Sequence, residues 1–273
     1  MNKNILPDGH VQISFSGGRT SAYMLHKIAE ANDGIPDRAK VVFANTGREM
    51  PETLDFVQEC SDRWSIPVVW VEYKDHVDPR RRFDVVSHNS ASRCGEPFEA
   101  LINKKKYLPN QQTRFCTSDL KVKPAKEYLR SIGFDHWNAA LGIRADELRR
   151  VKREPQKEPW QRWYPLADAG VSKHHVALFW RQQPFDLRLP HVRGNVALGN
   201  CDGCFLKSEA HVAMLARDLP ERHDWWQRME SKVHGSFSKR YTRKELREFV
   251  ERQGDWIFDT ESALCHADNG ECI

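Results

Sequence analysis

The chain has 273 residues, 40% of them apolar, which is enough for a sizeable core in one large domain or in a main domain with an appendage. No stretch approaches the roughly 20 apolar residues of a membrane span, and the opening Met1-Asn2-Lys3-Asn4-Ile5-Leu6-Pro7 lacks the apolar core of a signal peptide, so the expected protein is globular and cytoplasmic, with no membrane partner. The net charge is only +4, yet cations cluster at 80–82, 104–106, 149–153 and 239–247, runs that serve nucleotide phosphates or a nucleic acid backbone when they are not merely solvated faces.

The run Val11-Gln12-Ile13-Ser14-Phe15-Ser16-Gly17-Gly18-Arg19-Thr20-Ser21 predicts a short strand, a tight turn and the start of a helix. Two glycines let the backbone N–H groups approach a ligand, and a helix start adds a positive dipole end, a combination that binds anions and most often phosphate. Arg19, Thr20 and Ser21 add a cation and two hydroxyls at that point. A turn that merely needs glycine is the plainer reading of Ser-Gly-Gly alone.

A second strand over 40–44 runs into Asn45-Thr46-Gly47-Arg48-Glu49-Met50-Pro51, where proline opens a helix, and a third strand follows over 67–73. Strands alternating with helices at this spacing predict an α/β fold with a doubly wound, mostly parallel sheet, whose ligand sits beyond the carboxyl ends of the strands. Periodicity fades over 74–113, which reads as surface loop, with a lid as the alternative. A helix is predicted over 124–132, a fourth strand over 137–144 ending at Arg144, a loop over 151–161 with order resuming at Trp163, and a helix over 172–180. Beyond Cys204 helical spacing recurs over 209–217, 221–233 and 242–253. The expected organisation is a nucleotide-binding α/β domain over 1–207 and a helical extension over 208–273 with a cysteine-containing tail.

Seven cysteines in a chain with no export signal point to metal ligation or sulfur chemistry rather than a disulfide framework. Cys201-Asp202-Gly203-Cys204 lets two thiolates converge, as a redox dithiol or as half of a zinc or iron–sulfur site. Cys265 with Cys272 would complete four thiolates, with Cys116 a further candidate for the set, and four thiolates suit zinc and iron–sulfur alike. Cys60 falls on an apolar helix face and reads as core packing, while Cys94 has no assignment.

Taken in order, these segments resemble the phosphoadenosine phosphosulfate reductase family, within the wider group of PP-loop adenine nucleotide enzymes. Ser16-Gly17-Gly18-Arg19-Thr20-Ser21 is similar to the Ser-Gly-Gly-x-Asp-Ser loop that holds pyrophosphate, and the 45–53 segment is similar to Asp-Thr-Gly-x-x-x-Pro-Glu-Thr near the adenosine. Arg114-Phe115-Cys116-Thr117-Ser118-Asp119-Leu120-Lys121-Val122-Lys123-Pro124 resembles the Cys-Cys-x-x-x-Lys-Val-x-Pro segment of cluster-containing reductases. Gly142-Ile143-Arg144, Tyr164-Pro165-Leu166 and the 199–204 segment match later landmarks.

The resemblance implies an adenine nucleotide, ATP or a phosphosulfate, with its phosphates or sulfate on Ser16, Gly17, Gly18, Thr20 and Ser21 and its adenosine near Asn45, Thr46 and Gly47. Arg19, Lys121, Lys123 and Arg144 would neutralise the leaving group. It also implies a 4Fe-4S cluster, with zinc as the alternative, between Cys116 and the Cys201/Cys204 pair. Phe115 stands where the family has the first of two cysteines, so a fourth ligand must come from elsewhere, with Cys265 or Cys272 the natural donor. Glu271-Cys272-Ile273 keeps only part of the family's Glu-Cys-Gly-Leu-His ending, which leaves Cys272 as nucleophile or as ligand. The loop keeps both glycines, as enzymes that split ATP to AMP and pyrophosphate do. The leading expectation is a reductase-like enzyme using an electron donor. Its rivals are an ATP-dependent sulfur transferase or modifier of RNA or DNA with a sulfur donor, and a zinc-stapled module that only binds nucleotide.

Overall fold

The computed structural model describes residues 2–153, 157–192 and 195–253. A six-stranded sheet is built from β1 (His10–Ser14), β2 (Ala39–Asn45), β3 (Val68–Tyr73), β4 (Phe83–Val86), β5 (Trp137–Ala140) and β6 (Trp160–Trp163), in the order β4-β3-β2-β1-β5-β6. All neighbours run parallel except β3 and β4. The helices are α1 (Arg19–Ala31), α2 (Pro51–Trp64), α3 (Glu96–Lys105), α4 (Phe115–Thr117), α5 (Lys123–Ser131), α6 (Pro165–Asp168) and α7 (Lys173–Gln182), then α8 (Glu209–Asp218), α9 (Pro220–Val233) and α10 (Arg243–Gln253). A two-stranded ribbon, β7 (His191–Val192) with β8 (Asn195–Val196), precedes the Cys-x-x-Cys segment. No described helix is long and apolar enough to cross a membrane.

Alternation along the strands sorts side chains onto two faces. Val11, Ile13, Val41, Phe43 and Trp70 enter the main core with α1 and α2, whereas Val42, Val71 and Ala139 meet Ala125 and Leu129 of α5 on the other face. Strand β1 is central, yet its second face carries Gln12 and Ser14, and a cleft lies over it. Trp225, Trp226 and Met229 of α9 belong to the main core, so the C-terminal helices complete the α/β unit.

Three expectations need correction. The 74–113 segment is not simply loop, because it contains β4 and α3. Strand β4 is an edge of four residues with Asp84 and Val85 exposed, too short and too little buried to show a period, while α3 buries Phe98, Leu101 and Ile102. The 151–161 loop gives way to β6 at Trp160, another short edge strand with Gln161 and Arg162 exposed. The fourth strand ends at Ala140 rather than 144, since the backbone leaves the sheet where Gly142 passes close to Ser21.

Candidate nucleotide and cysteine site

Strand β1 delivers the chain to the carboxyl edge of the sheet, where Phe15 seals the core and Ser16 turns toward the cleft. The turn is fixed from inside. The Ser16 backbone N–H donates to Ser21 Oγ (3.2 Å), the two hydroxyls lie 2.9 Å apart, and Ser21 Oγ donates to the Gly18 carbonyl at 3.0 Å. Gly17 has φ +80°, and a Cβ there would lie 2.7 Å from Thr53 Cγ2. Gly18 is the N-cap of α1 and no acidic side chain occupies the first turn, so the positive end of that helix faces the turn with no carboxylate of its own to neutralise it.

The predicted phosphate ligands divide. Ser16 lines the cleft, but Thr20 and Ser21 are buried, and Thr20 Oγ1 accepts from Arg144 Nη1 at 3.2 Å. Arg19 turns to Asp186, donating from Nε at 2.6 Å, while its carbonyl accepts from Trp180 Nε1 at 2.9 Å. Arg144 is itself buried, with Asp146 Oδ1 at 3.0 Å and Glu147 Oε2 at 3.4 Å. Lys123 is exposed and pairs with Asp119, which also takes Lys105 at 2.9 Å. Burial of Asp119 favours its neutral form, but the two lysines outweigh it and hold the carboxyl below the usual range. Lys121 points the other way, into the cleft, with Glu49 Oε1 at 3.8 Å.

Asn45, Thr46 and Gly47 build the second turn at the same edge. Asn45 is fully buried, donates to Glu72 Oε1 (2.5 Å) and the Ser92 carbonyl (2.8 Å), and accepts from the Gly47 N–H at 3.1 Å. Thr46 donates to Glu49 Oε2 from both its backbone N–H (2.8 Å) and its hydroxyl (2.7 Å), and its Oγ1 lies 3.3 Å from Cys201 Sγ.

That contact ties the second turn to the cysteines. Cys116, Cys201 and Cys204 line one small cavity together with Thr46, Thr117, Lys121 and Asn200. Cys116 arrives on α4, the start of a helical run that passes through a π-turn (Ser118–Val122) before α5. A π-turn inserts an extra residue per turn and re-aims the side chains after it, here carrying Lys121 to the cavity. Burial pushes the Cys201 thiol up, with Glu49 adding to the effect and Lys121 and Thr46 opposing it, so a thiolate there needs a further positive charge. Asn200, 4% exposed with φ +55°, has neither amide atom hydrogen-bonded. Three thiols and an unpartnered buried amide fit a thiolate-bound group, although among the described residues no three side chains form a preassembled metal site. Cys265 and Cys272 lie outside the described residues. Cys60 is fully buried in the main core, and Cys94 is exposed.

Several partners escape sequence reasoning. Asp202, fully buried, accepts from Arg48 Nη2 (2.7 Å), Arg222 Nε (2.5 Å) and Trp226 Nε1 (2.7 Å). It welds the Cys-x-x-Cys segment to the second turn and to α9, and no spacing in the sequence announces it. The cleft itself has a volume of 610 Å³ and is lined by Gln12, Ser14 and Ser16, by Trp137, Trp160 and Tyr164, and by cations that include Lys126, Lys152 and Arg162. Polar residues at alternate positions of a central strand were the legible signal for it. Thr117 and Lys121 line both the cleft and the cysteine cavity.

The chain is 32% identical over 211 residues to the uncharacterized nin region protein ORF290 of Escherichia phage lambda, covering 76% of this chain and 69% of the phage protein. It is 28% identical over 120 residues to the uncharacterized protein MJ0973 of Methanocaldococcus jannaschii, covering 44% of this chain and 23% of that one. Among solved structures it is similar to phosphoadenylyl-sulfate (PAPS) reductase from Candida auris, with TM-score 0.41, 14% identity, and coverage of 65% of this chain and 74% of that one. It is also similar to the U34-tRNA thiolase NcsA of Methanococcus maripaludis with its [4Fe-4S] cluster, with TM-score 0.40, 12% identity, and coverage of 94% and 85%. Residues 10–168 match the phosphoadenosine phosphosulfate reductase domain, and the chain belongs to that family.

Proposed function

We propose that the chain is an enzyme that seats the phosphates of an adenine nucleotide on the turn at Ser16, Gly17 and Gly18 and carries out sulfur chemistry at a 4Fe-4S cluster beside it. The observation that carries this reading is the shared wall of Thr117 and Lys121 between the cleft and the cavity of Cys116, Cys201 and Cys204. Those three cysteines would hold the cluster, with Cys265 from the tail as fourth ligand, and the cluster supplies redox or sulfur-handling capacity when bound. Lys121, placed between the two cavities, would neutralise charge on the group that leaves the nucleotide. Arg144 acts at one remove, as a positioning residue that holds Thr20 and the first turn of α1.

Two reactions suit this arrangement. Reduction of a phosphosulfate would use Cys272 as nucleophile. Splitting of ATP to AMP and pyrophosphate, followed by transfer of sulfur from a donor, needs no cysteine nucleophile of the reductase type and leaves Cys272 as the alternative to Cys265 for the fourth ligand position. The two glycines of the loop favour the second. Product analysis separates them: sulfite from adenylyl sulfate or phosphoadenylyl sulfate selects the reductase, pyrophosphate from ATP selects the transferase. Absence of calorimetric binding by any of these nucleotides would sink both.

A further inference from the structure

A nucleotide with its phosphates on the Ser-Gly-Gly turn leaves the opposite end of the cleft chemically unexplained. The sheet registers give the distance. Gln12, four residues before Ser16, is level with Ala139 of β5, which is level with Arg162 of β6. At about 3.3 Å per residue, Arg162 is set back from Ser16 by roughly 13 Å along the strands, with two strand spacings of about 4.8 Å to add across them. Trp160 is level with Trp137 and His10, six residues before Ser16, a setback of roughly 20 Å.

ATP and adenylyl sulfate carry all their negative charge on the 5′ phosphates or sulfate and none on the adenosine, and phosphoadenylyl sulfate adds only one phosphate, on the ribose 3′-oxygen. The far end is nevertheless basic. Lys152 and Arg162 are exposed there, and Lys126 lies 5.6 Å from the centre of the Trp160 ring, which stacks on Trp137 at 5.4 Å. The one carboxylate among the described lining residues, Glu158, is already engaged by Lys126 at 2.8 Å. A second cavity of 620 Å³ continues the cleft, sharing Trp137, Lys152, Glu158, Trp160 and Arg162 with it and adding Asp8 and Arg153, the latter paired with Asp168. Each cavity is of single-ligand size, so there is room for a second substrate beside the nucleotide.

We propose that this far end holds the phosphodiester backbone of a single-stranded polynucleotide, the second substrate of the enzyme. The proposal rests on reading the Ser-Gly-Gly turn as the seat of the nucleotide phosphates. Cations beside an aromatic ring are the means by which single strands are held without sequence readout. A duplex does not enter a cavity of this size, so a single strand is what the far end holds.

The test uses the full chain and fluorescein-labelled oligonucleotides of about 15 residues, as single-stranded DNA, single-stranded RNA and duplex, read by anisotropy across a salt series from about 50 mM upward. A single strand binds at least ~10-fold tighter than the duplex, and the tighter of DNA and RNA identifies the natural sugar. The K152E/R162E variant binds at least ~10-fold more weakly, and its log affinity against log salt is shallower by about 1.4, as expected for two lost phosphate contacts. Crosslinking of a bromouracil-containing strand gives peptides that contain Trp160. Equal binding by variant and wild type, or crosslinks confined to other segments, overturns the proposal. ATP binding is measured in parallel: wild-type protein that binds ATP but no oligonucleotide refutes the second substrate alone, whereas protein that binds oligonucleotide but no ATP refutes the nucleotide reading instead.

Discussion

Gly17 concentrates the demands of the nucleotide turn in one residue. Its φ of +80° strains any L side chain, and a Cβ 2.7 Å from Thr53 Cγ2 would push on the start of α2. Gly17→Ala is expected to cost about 1–3 kcal/mol of stability and to reduce adenine nucleotide affinity by at least ~10-fold, since a shift of one ångström misplaces the N–H groups; thermal unfolding and calorimetry check the two effects. His223 makes a different prediction. It is fully buried, neither ring nitrogen has a hydrogen bond, and burial, with Arg243 and Arg247 adding to it, pushes its pKa down to about 4. The unfolded chain binds a proton at that histidine near pH 6.5 while the folded chain does not, so stability is fully present above about 6.5 and falls as pH drops toward 4, by about 3 kcal/mol in all. Denaturant midpoints measured from pH 7 to 4 show this slope, and His223→Leu flattens it. The two residues differ in legibility. Ser-Gly-Gly after an apolar strand is a local signal, whereas the environment of His223 comes from Arg243, twenty residues on, and depends on how α9 and α10 pack.

At the scale of elements, the sequence displayed whatever buries a face with a regular period. β1, β2, β3 and the helices after Cys204 fall close to their expected positions. It concealed β4 and β6, four-residue edge strands with exposed middles, and the π-turn at 118–122, whose single inserted residue changes no composition. The connections among the site-bearing elements were hidden for a related reason: Asp202 looks like a spacer between two cysteines, yet it gathers Arg48, Arg222 and Trp226. Asp202→Asn keeps the shape and removes the charge, leaving the buried Arg48 without its counter-ion, and is expected to cost about 3–5 kcal/mol, read as a lowered unfolding midpoint. Because the same carboxylate anchors the Cys-x-x-Cys segment, the variant also retains less iron than wild type after identical anaerobic handling. Full stability with full iron content would remove Asp202 from the account.

At the scale of the molecule, the expected boundary at residue 207 separates a run of α/β alternation from a run of helices, but the packing crosses it. Trp225, Trp226 and Met229 lie in the same core as Phe43 and Phe98, and Arg48 stacks 4.8 Å from the Trp225 ring. A chain ending at residue 207 therefore exposes much of its core and is expected to show no cooperative thermal transition by circular dichroism, whereas a cooperative transition would make the helices a separate unit. The same continuity brings cysteines that are 85 residues or more apart in sequence, Cys116 and the Cys201/Cys204 pair, to a cavity that adjoins the nucleotide cleft. The central claim is that these thiols hold an iron–sulfur cluster there. Iron, acid-labile sulfide and zinc analysis of anaerobically purified protein, with its visible spectrum, tests it most directly. A brown protein with close to four iron and four sulfide per chain is expected, with loss of both in Cys116→Ala, Cys201→Ala and Cys204→Ala. A colourless protein carrying zinc, or iron undiminished in the three variants, would contradict it.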